Sequence, residues 1–320
     1  GGRVVTDAAQ LLDAPTSGAL ERRLKSLWVS LVRDRAVDLE IEDHEVRGVS
    51  GERRRYAAQA VILATGGISY PATGSTGDGH RMAERAGHTV TPLQGSLVPL
   101  QGTLDNGASC ARLQGLGLRN VGVTVFENQK KIYTDLGELL FTHFGVSGPL
   151  VLSASAHMRC FGKKAYHLEI DLKPALDEQT LDRRLLSDFE KYANHDFCNA
   201  LQDLLPQKLI PVMVEASGIP PHQKVHEITR EQRRALLLKF KHFVVKISAP
   251  CPVEEAIVTS GGIRVNEVNP TTMESKLVKG LYFAGELLDV DAYTGGFNLQ
   301  IAWATGRAAG MAAAEEGRKS

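Results

Sequence analysis

The chain has 320 residues, 43% of them hydrophobic and 23% charged, an ordinary globular profile with enough length for two or three cores. Its 37 Lys and Arg balance 37 Asp and Glu, which argues against a global basic field for nucleic acid. No apolar run reaches the roughly 18 residues of a membrane span, and no signal-peptide core stands at the start, so a cytoplasmic protein without a membrane partner is expected.

Cys110, Cys160, Cys198 and Cys251 form no Cys-x-x-Cys pair and stand at no metal-ligand spacing with histidine. They read as incidental thiols of a reducing compartment, with no metal site.

In chain order, Leu20, Leu24, Leu27, Leu31 and Val32 predict a helix over 18–33. Residues 37–41 and 45–49 alternate like strands and lead to a turn at Ser50-Gly51-Glu52. Arg53-Arg54-Arg55 reads as a solvated hairpin tip. Residues 58–63 read as a buried strand that runs into Ala64-Thr65-Gly66-Gly67. The glycine-rich loop 69–79 follows. It lacks the Gly-Lys-Ser/Thr ending of a Walker-type ATP site and is not Gly-x-Gly-x-x-Gly. A short helix from about His80 to Ala86 ends at Gly87.

From Thr91 the texture changes. Strand-like pieces lie at 97–104, 121–126 and 166–172. Residues 176–243 look helical, with Leu181, Leu185, Leu186 and Phe189, then Leu236, Leu237, Phe240 and Phe243, at helical spacing. A buried strand resumes at 255–262. The expected domains are a discontinuous α/β domain of 1–90 and 255–320, a β-rich middle domain of 91–175 and 244–254, and a helical insertion of 176–243.

Two strings carry chemistry. In 137–149, His143 is a candidate proton donor near pH 7, beside Thr142, and Ser147 a candidate cap for a helix starting near Pro149. The alternative is that the histidine and threonine satisfy backbone groups at a domain junction. In 280–306, a buried strand leads to a loop with Glu286, Asp289 and Asp291, then Gly295-Gly296 and a helix for which Asn298 is a good cap. Glycine lets backbone amides approach a ligand closely. The first-turn amides of a helix are unpaired and carry partial positive charge, which suits a phosphate or an anionic ring. A strand ending in an acid before a helix N-terminus suggests a nucleotide cofactor at an α/β sheet edge. Phe297 is the expected cofactor contact. Trp303 is expected in the core, and the small face Gly306–Gly310 against the sheet.

These strings resemble the BaiN-like and aminoacetone-oxidase-like FAD-dependent oxidoreductases. The match runs through Ala-Thr-Gly-Gly at 64–67, the loop 69–79, Gly-Glu-x-Leu-Phe-Thr-His-x-Gly-x-Ser-Gly-Pro at 137–149, Asn-Pro-x-Thr-Met-Glu-Ser-Lys at 269–276, and 280–306. The resemblance implies an α/β fold: a glutathione-reductase-like FAD-binding domain with an inserted β-rich domain and a helical subdomain. It implies FAD as cofactor, NAD(P)H as electron donor and a small-molecule substrate, with hydride passing through the flavin to an organic acceptor or to oxygen. It places Val46, Ala64, Thr65 and Gly66 among the cofactor contacts, with Gly261 and Gly262 under the flavin. Gly285 and Glu286 would sit at the ribityl and pyrophosphate part, and Gly295, Gly296, Phe297, Asn298 and Leu299 at the flavin edge.

The family's opening strand, Gly-x-Gly-x-x-Gly turn and ribose-binding acid have no counterpart here. An N-terminally truncated FAD-binding domain is therefore expected, its pyrophosphate turn supplied by a missing N-terminal segment or by another chain. The alternative is a non-catalytic remnant or a partner-binding domain without cofactor.

Overall fold

The computed structural model describes residues 3–6, 22, 24, 26–27 and 29–316. The chain divides into two compact units, Gly1–Ser96 with Pro252–Ser320, and Leu97–Cys251.

The first unit opens with a parallel pair, β1 (Arg3–Thr6) and β2 (Ser30–Arg33). Of the helix expected over 18–33, Arg22, Leu24 and Ser26 are helical, while residues 18–21, 23, 25 and 28 lie outside the described residues. Its last positions, Leu31 and Val32, belong to β2, where pairing with β1 outweighs leucine spacing. Then β3 (Ala36–Glu42), β4 (Glu45–Gly51) and β5 (Arg55–Ala57) form an antiparallel meander. Its first turn uses Asp43 and His44, both at positive φ, as a two-residue hairpin requires. At the arginine run, Arg55 pairs with Glu40 at 2.9 Å and Arg54 lies over the Tyr56 ring.

Strand β6 (Val61–Leu63) follows, then helix α1 (Asp78–Arg85). Helix α1 closes at Gly87, whose φ of 95° lets the chain turn, while His88 donates its amide to Ala83 O at 3.0 Å. Strand β7 (Gln94–Ser96) ends this stretch.

The second unit holds a closed antiparallel barrel of β8 (Leu100–Leu104), β9 (Gly117–Glu127), β10 (Lys130–Phe141), β11 (Gly145–Ser147), β12 (Tyr166–Asp171) and β13 (Phe243–Pro250), in the order β10-β11-β8-β13-β12-β9. Alternate residues fill it: Val123, Val125, Leu168, Ile170 and Val245 are fully buried. Helix α2 (Pro149–Ser155) follows β11. Ser147, expected to cap it, lies on β11; the N-cap is Gly148, with no side-chain bond.

Between β12 and β13 run α3 (Glu178–Lys191), α4 (Ile210–Ser217) and α5 (Arg230–Lys241). Asp177 caps α3 through the Thr180 amide, and Thr229 with Gln232 forms a capping box on α5. Leu181, Leu185, Leu236 and Phe240 are fully buried between them. Phe243, placed by spacing on the helix, instead opens β13.

The chain returns to the first unit with β14 (Val258–Ser260), antiparallel to β7, and β15 (Leu281–Phe283), parallel to β6. Helix α6 (Phe297–Glu316) packs Ala309 into the core with Val61, Leu63, Met82 and Phe283. Two packing expectations for α6 fail. Trp303 is 66% exposed. Gly306 and Gly310 face open space, and Ala308, Ala309, Ala312 and Ala313 make the packing face instead. The helix is apolar nearly all round, so spacing cannot tell which face is buried.

Candidate functional site

Strands β6 and β15 run parallel and in register, Leu63 opposite Phe283. Ala284 donates its amide to Leu63 O at 3.0 Å, so the turns that follow emerge side by side. Ala64, Thr65 and Gly66 are thus brought to the same edge as Gly285 and Glu286. Gly66 and Gly285 both take positive φ, 74° and 71°, a conformation glycine adopts without strain. Gly285 donates to Thr305 Oγ1 at 2.9 Å and faces Ala302, which fixes the turn against α6.

The start of α6 lies five residues before Ala302, about 7.5 Å along the helix axis. Gly296 is its cap: the Gly296 carbonyl accepts from Gln300 N at 3.0 Å. The amides of Phe297, Asn298 and Leu299 precede that ladder and point out of the first turn. Asn298 does not cap the helix. Its amide group bonds backwards to both the N–H and the C=O of Ala292, at 2.8 and 2.7 Å, and clamps the loop ahead of the glycines. Gly295 and Gly296 have φ of 115° and 88°, and a Cβ on Gly296 would meet nothing within 4 Å. Phe297 and Leu299 stand exposed beside them.

Gly261 and Gly262 differ. Both are buried at positive φ, with the Pro92 carbonyl against the Cβ position of Gly261 and Leu287 O 2.6 Å from that of Gly262. Protein backbone fills the space. Val46 is not brought to the edge: it is buried beside Gly280, at the opposite end of β15. His143 belongs to the other unit, on the exposed turn between β10 and β11, edge-on to Phe144 at 4.9 Å. Thr142 is engaged in that turn, its Oγ1 accepting from Gly145 N at 3.1 Å.

Sequence reading missed the bonds that hold the edge together. Thr259 Oγ1 accepts the amides of Ile68 and Ser69, at 2.8 and 3.1 Å. Glu286 Oε1 accepts from Ser69 Oγ at 3.0 Å and from the Thr259 amide. Asp291 takes the hydroxyls of Ser96 and Ser260, at 3.0 and 3.1 Å. Behind the edge, the buried atoms Thr65 Oγ1 and His80 Nδ1 and Nε2 complete no hydrogen bond. Burial holds His80 below the ordinary histidine range, against a smaller upward pull from the Leu287 carbonyl.

Among the described residues no group of three or more His, Cys, Asp and Glu could hold a metal ion, and no helix is long and apolar enough to cross a membrane.

Parallel strands whose carboxyl ends meet a helix N-terminus through glycine turns define the dinucleotide-binding α/β class. Residues 5–312 match the HI0933-like protein Rossmann domain, and the chain belongs to that family. It is 33% identical over 297 residues to a 3-dehydro-bile acid delta(4,6)-reductase of Clostridium scindens, covering 92% of this chain and 71% of that protein. Ribosomal RNA dihydrouridine synthases are also similar. That of Escherichia coli is 29% identical, covering 92% of this chain and 68% of the relative; that of Haemophilus influenzae is 32% identical, covering 80% and 61%. The solved structure of Aquifex aeolicus GidA aligns over 92% of this chain and 47% of its own, with a TM-score of 0.33 and 12% identity.

Proposed function

We propose that this chain belongs to an FAD-dependent oxidoreductase that takes hydride from NAD(P)H and passes it to a small organic acceptor or to oxygen. The observation that carries the reading is the glycine pair at the head of α6, open at Gly296, beside the paired turns after β6 and β15. FAD, when bound, supplies a ring that accepts and donates hydride.

The residues present fit such a group. Gly66 and Gly285 make the positive-φ turns at the sheet edge. Thr65 Oγ1 is buried and still without a partner. Glu286 is anchored through Oε1, which leaves Oε2 to accept from a cofactor hydroxyl. The first-turn amides of α6 would stabilise negative charge developing on reduction. Gly261 and Gly262 support the edge from beneath. His143 is the proposed proton donor.

The relatives are longer than this chain, and the pyrophosphate turn is proposed to come from polypeptide outside these 320 residues. A cytoplasmic setting goes with the proposal, because none of the four cysteines is joined in a disulfide.

The relatives' names describe one reductase and two synthases of dihydrouridine, and both reactions add hydrogen to an unsaturated ring. A small unsaturated acceptor is favoured over RNA by the equal count of acids and bases. The two synthases favour RNA as a second reading.

The test is the protein expressed from its native gene. A flavin absorption band, FAD released on denaturation, and anaerobic bleaching by NAD(P)H are expected. Protein that is colourless and stays so when titrated with FAD would leave the non-catalytic remnant. Loss of dihydrouridine from ribosomal RNA in cells lacking the gene would select the RNA reading.

A further inference from the structure

Behind the 273–283 segment lies a buried chain of three side chains that the proposed chemistry does not use. His88 is 4% exposed and Ser275 7%. His88 Nε2 is 2.8 Å from Ser275 Oγ, and Nδ1 is 3.2 Å from Glu267 Oε2. Glu267 also accepts the Thr89 amide at 2.8 Å. The Phe283 ring meets the imidazole edge-on at 4.8 Å. Glu267 is thus the charged group facing His88, which also meets the Ser275 hydroxyl and the Phe283 ring.

Counting donors assigns the protons. Ser275 Oγ accepts the amides of Leu277 and Val278, at 3.0 and 2.8 Å. A hydroxyl has two lone pairs and one proton. With both lone pairs taken, the proton points at Nε2, which must accept it. Nδ1 then carries the imidazole hydrogen and donates to Glu267. The spacing suggests a nucleophilic triad, but a buried hydroxyl already accepting two amides is not free to attack.

We propose that Glu267, His88 and Ser275 form a pH-sensitive lock on the strand that delivers the Gly285–Glu286 turn, closed when His88 is neutral and opened when it gains a proton at Nε2. A proton there would set two donors facing each other. Ser275 must then rotate its hydrogen into a lone-pair direction and release the amide of Leu277 or Val278. That turn is continuous with β15: Ser275 N donates to Leu281 O at 2.7 Å, and Phe283 N to Met273 O at 3.0 Å. Opening therefore loosens β15 along its edge away from β6. Burial lowers the proton affinity of His88, while the smaller pull of Glu267 raises it, so the lock holds at neutral pH. The consequence for a cofactor rests on the flavoprotein reading; the lock itself does not.

Long-range proton–nitrogen NMR of the native protein tests it. At neutral pH the expected tautomer is the Nδ1-protonated one. On acidification the Leu277 and Val278 amides should lose exchange protection, corrected for intrinsic rates, with the midpoint of His88 itself, below about 6.5. Glu267→Gln should lower both midpoints together, because it removes the charge that favours the imidazolium. An Nε2-protonated tautomer at neutral pH overturns the proposal. So do amides indifferent to the His88 titration, or midpoints that Glu267→Gln leaves in place. A working lock in a protein that binds no flavin would count against the flavoprotein reading alone.

Discussion

The first unit contains two glycine pairs that look alike in sequence and serve opposite ends. Gly261-Gly262 follows the buried strand β14 and Gly295-Gly296 the loop ahead of α6, and all four residues take positive φ. Carbonyls of Pro92 and Leu287 occupy the space where side chains of the first pair would go. The second pair opens on free space at Gly296 and leads into the amides of α6. A glycine pair therefore marks a close approach of backbone, and only structure tells whether the partner is the protein or a ligand.

The largest expected effect that sharpens this contrast is on stability. Gly262→Ala places a methyl against the Leu287 carbonyl at φ 141° and should cost about 3 kcal/mol, read as a fall in melting temperature. Gly296→Ala meets only the strain of positive φ and should cost about 1–2 kcal/mol. Equal losses would erase the distinction.

Next comes the frame between the pairs. Glu286→Ala leaves the Thr259 amide and the Ser69 hydroxyl without their acceptor and should cost about 1–3 kcal/mol. Glu286→Gln keeps an acceptor and should recover part of it. If both melt like the parent, the carboxylate holds nothing and is free for a ligand.

Much of the candidate edge was legible. The apolar runs at 61–63 and 281–283 announced buried strands, and the change to Gly-rich loops marked where they stop. What failed did so for physical reasons. Most of strand β10 went unseen because bulges between Lys131 and Tyr133 and between Gly137 and Leu139 break the period-two pattern. Trp303 was misplaced because α6 offers apolar residues on every side. The bonds of Glu286 to Ser69 and of His88 to Ser275 join positions 217 and 187 residues apart, a pairing no local pattern encodes.

Acid should weaken the closed region. Burial depresses His80 and His88 relative to the unfolded chain, so their neutral forms contribute stability that is fully present above about pH 6.5. It is lost as pH falls through the lower folded values. Melting temperature should drop over that window, and less so in His88→Gln; a flat profile would contradict the burial of both rings.

The smallest effect concerns the other unit. Burial pushes the Cys110 thiol up to about 11, so iodoacetamide at pH 8 should spare it while alkylating half-buried Cys198. Rapid labelling of Cys110 would mean that its surroundings open readily.

The central claim is that the cofactor lies against the open glycine pair. Gly296→Val, made in the protein expressed from its native gene, tests it through bound FAD per chain. Valine adds a branched side chain where backbone must approach the ring, and it resists φ of 88°. The variant should lose its flavin while His143→Ala keeps it; if His143 is the proton donor, that second variant loses turnover by about 10²–10⁴-fold. A Gly296→Val protein with full FAD occupancy would show that the cofactor rests against another loop.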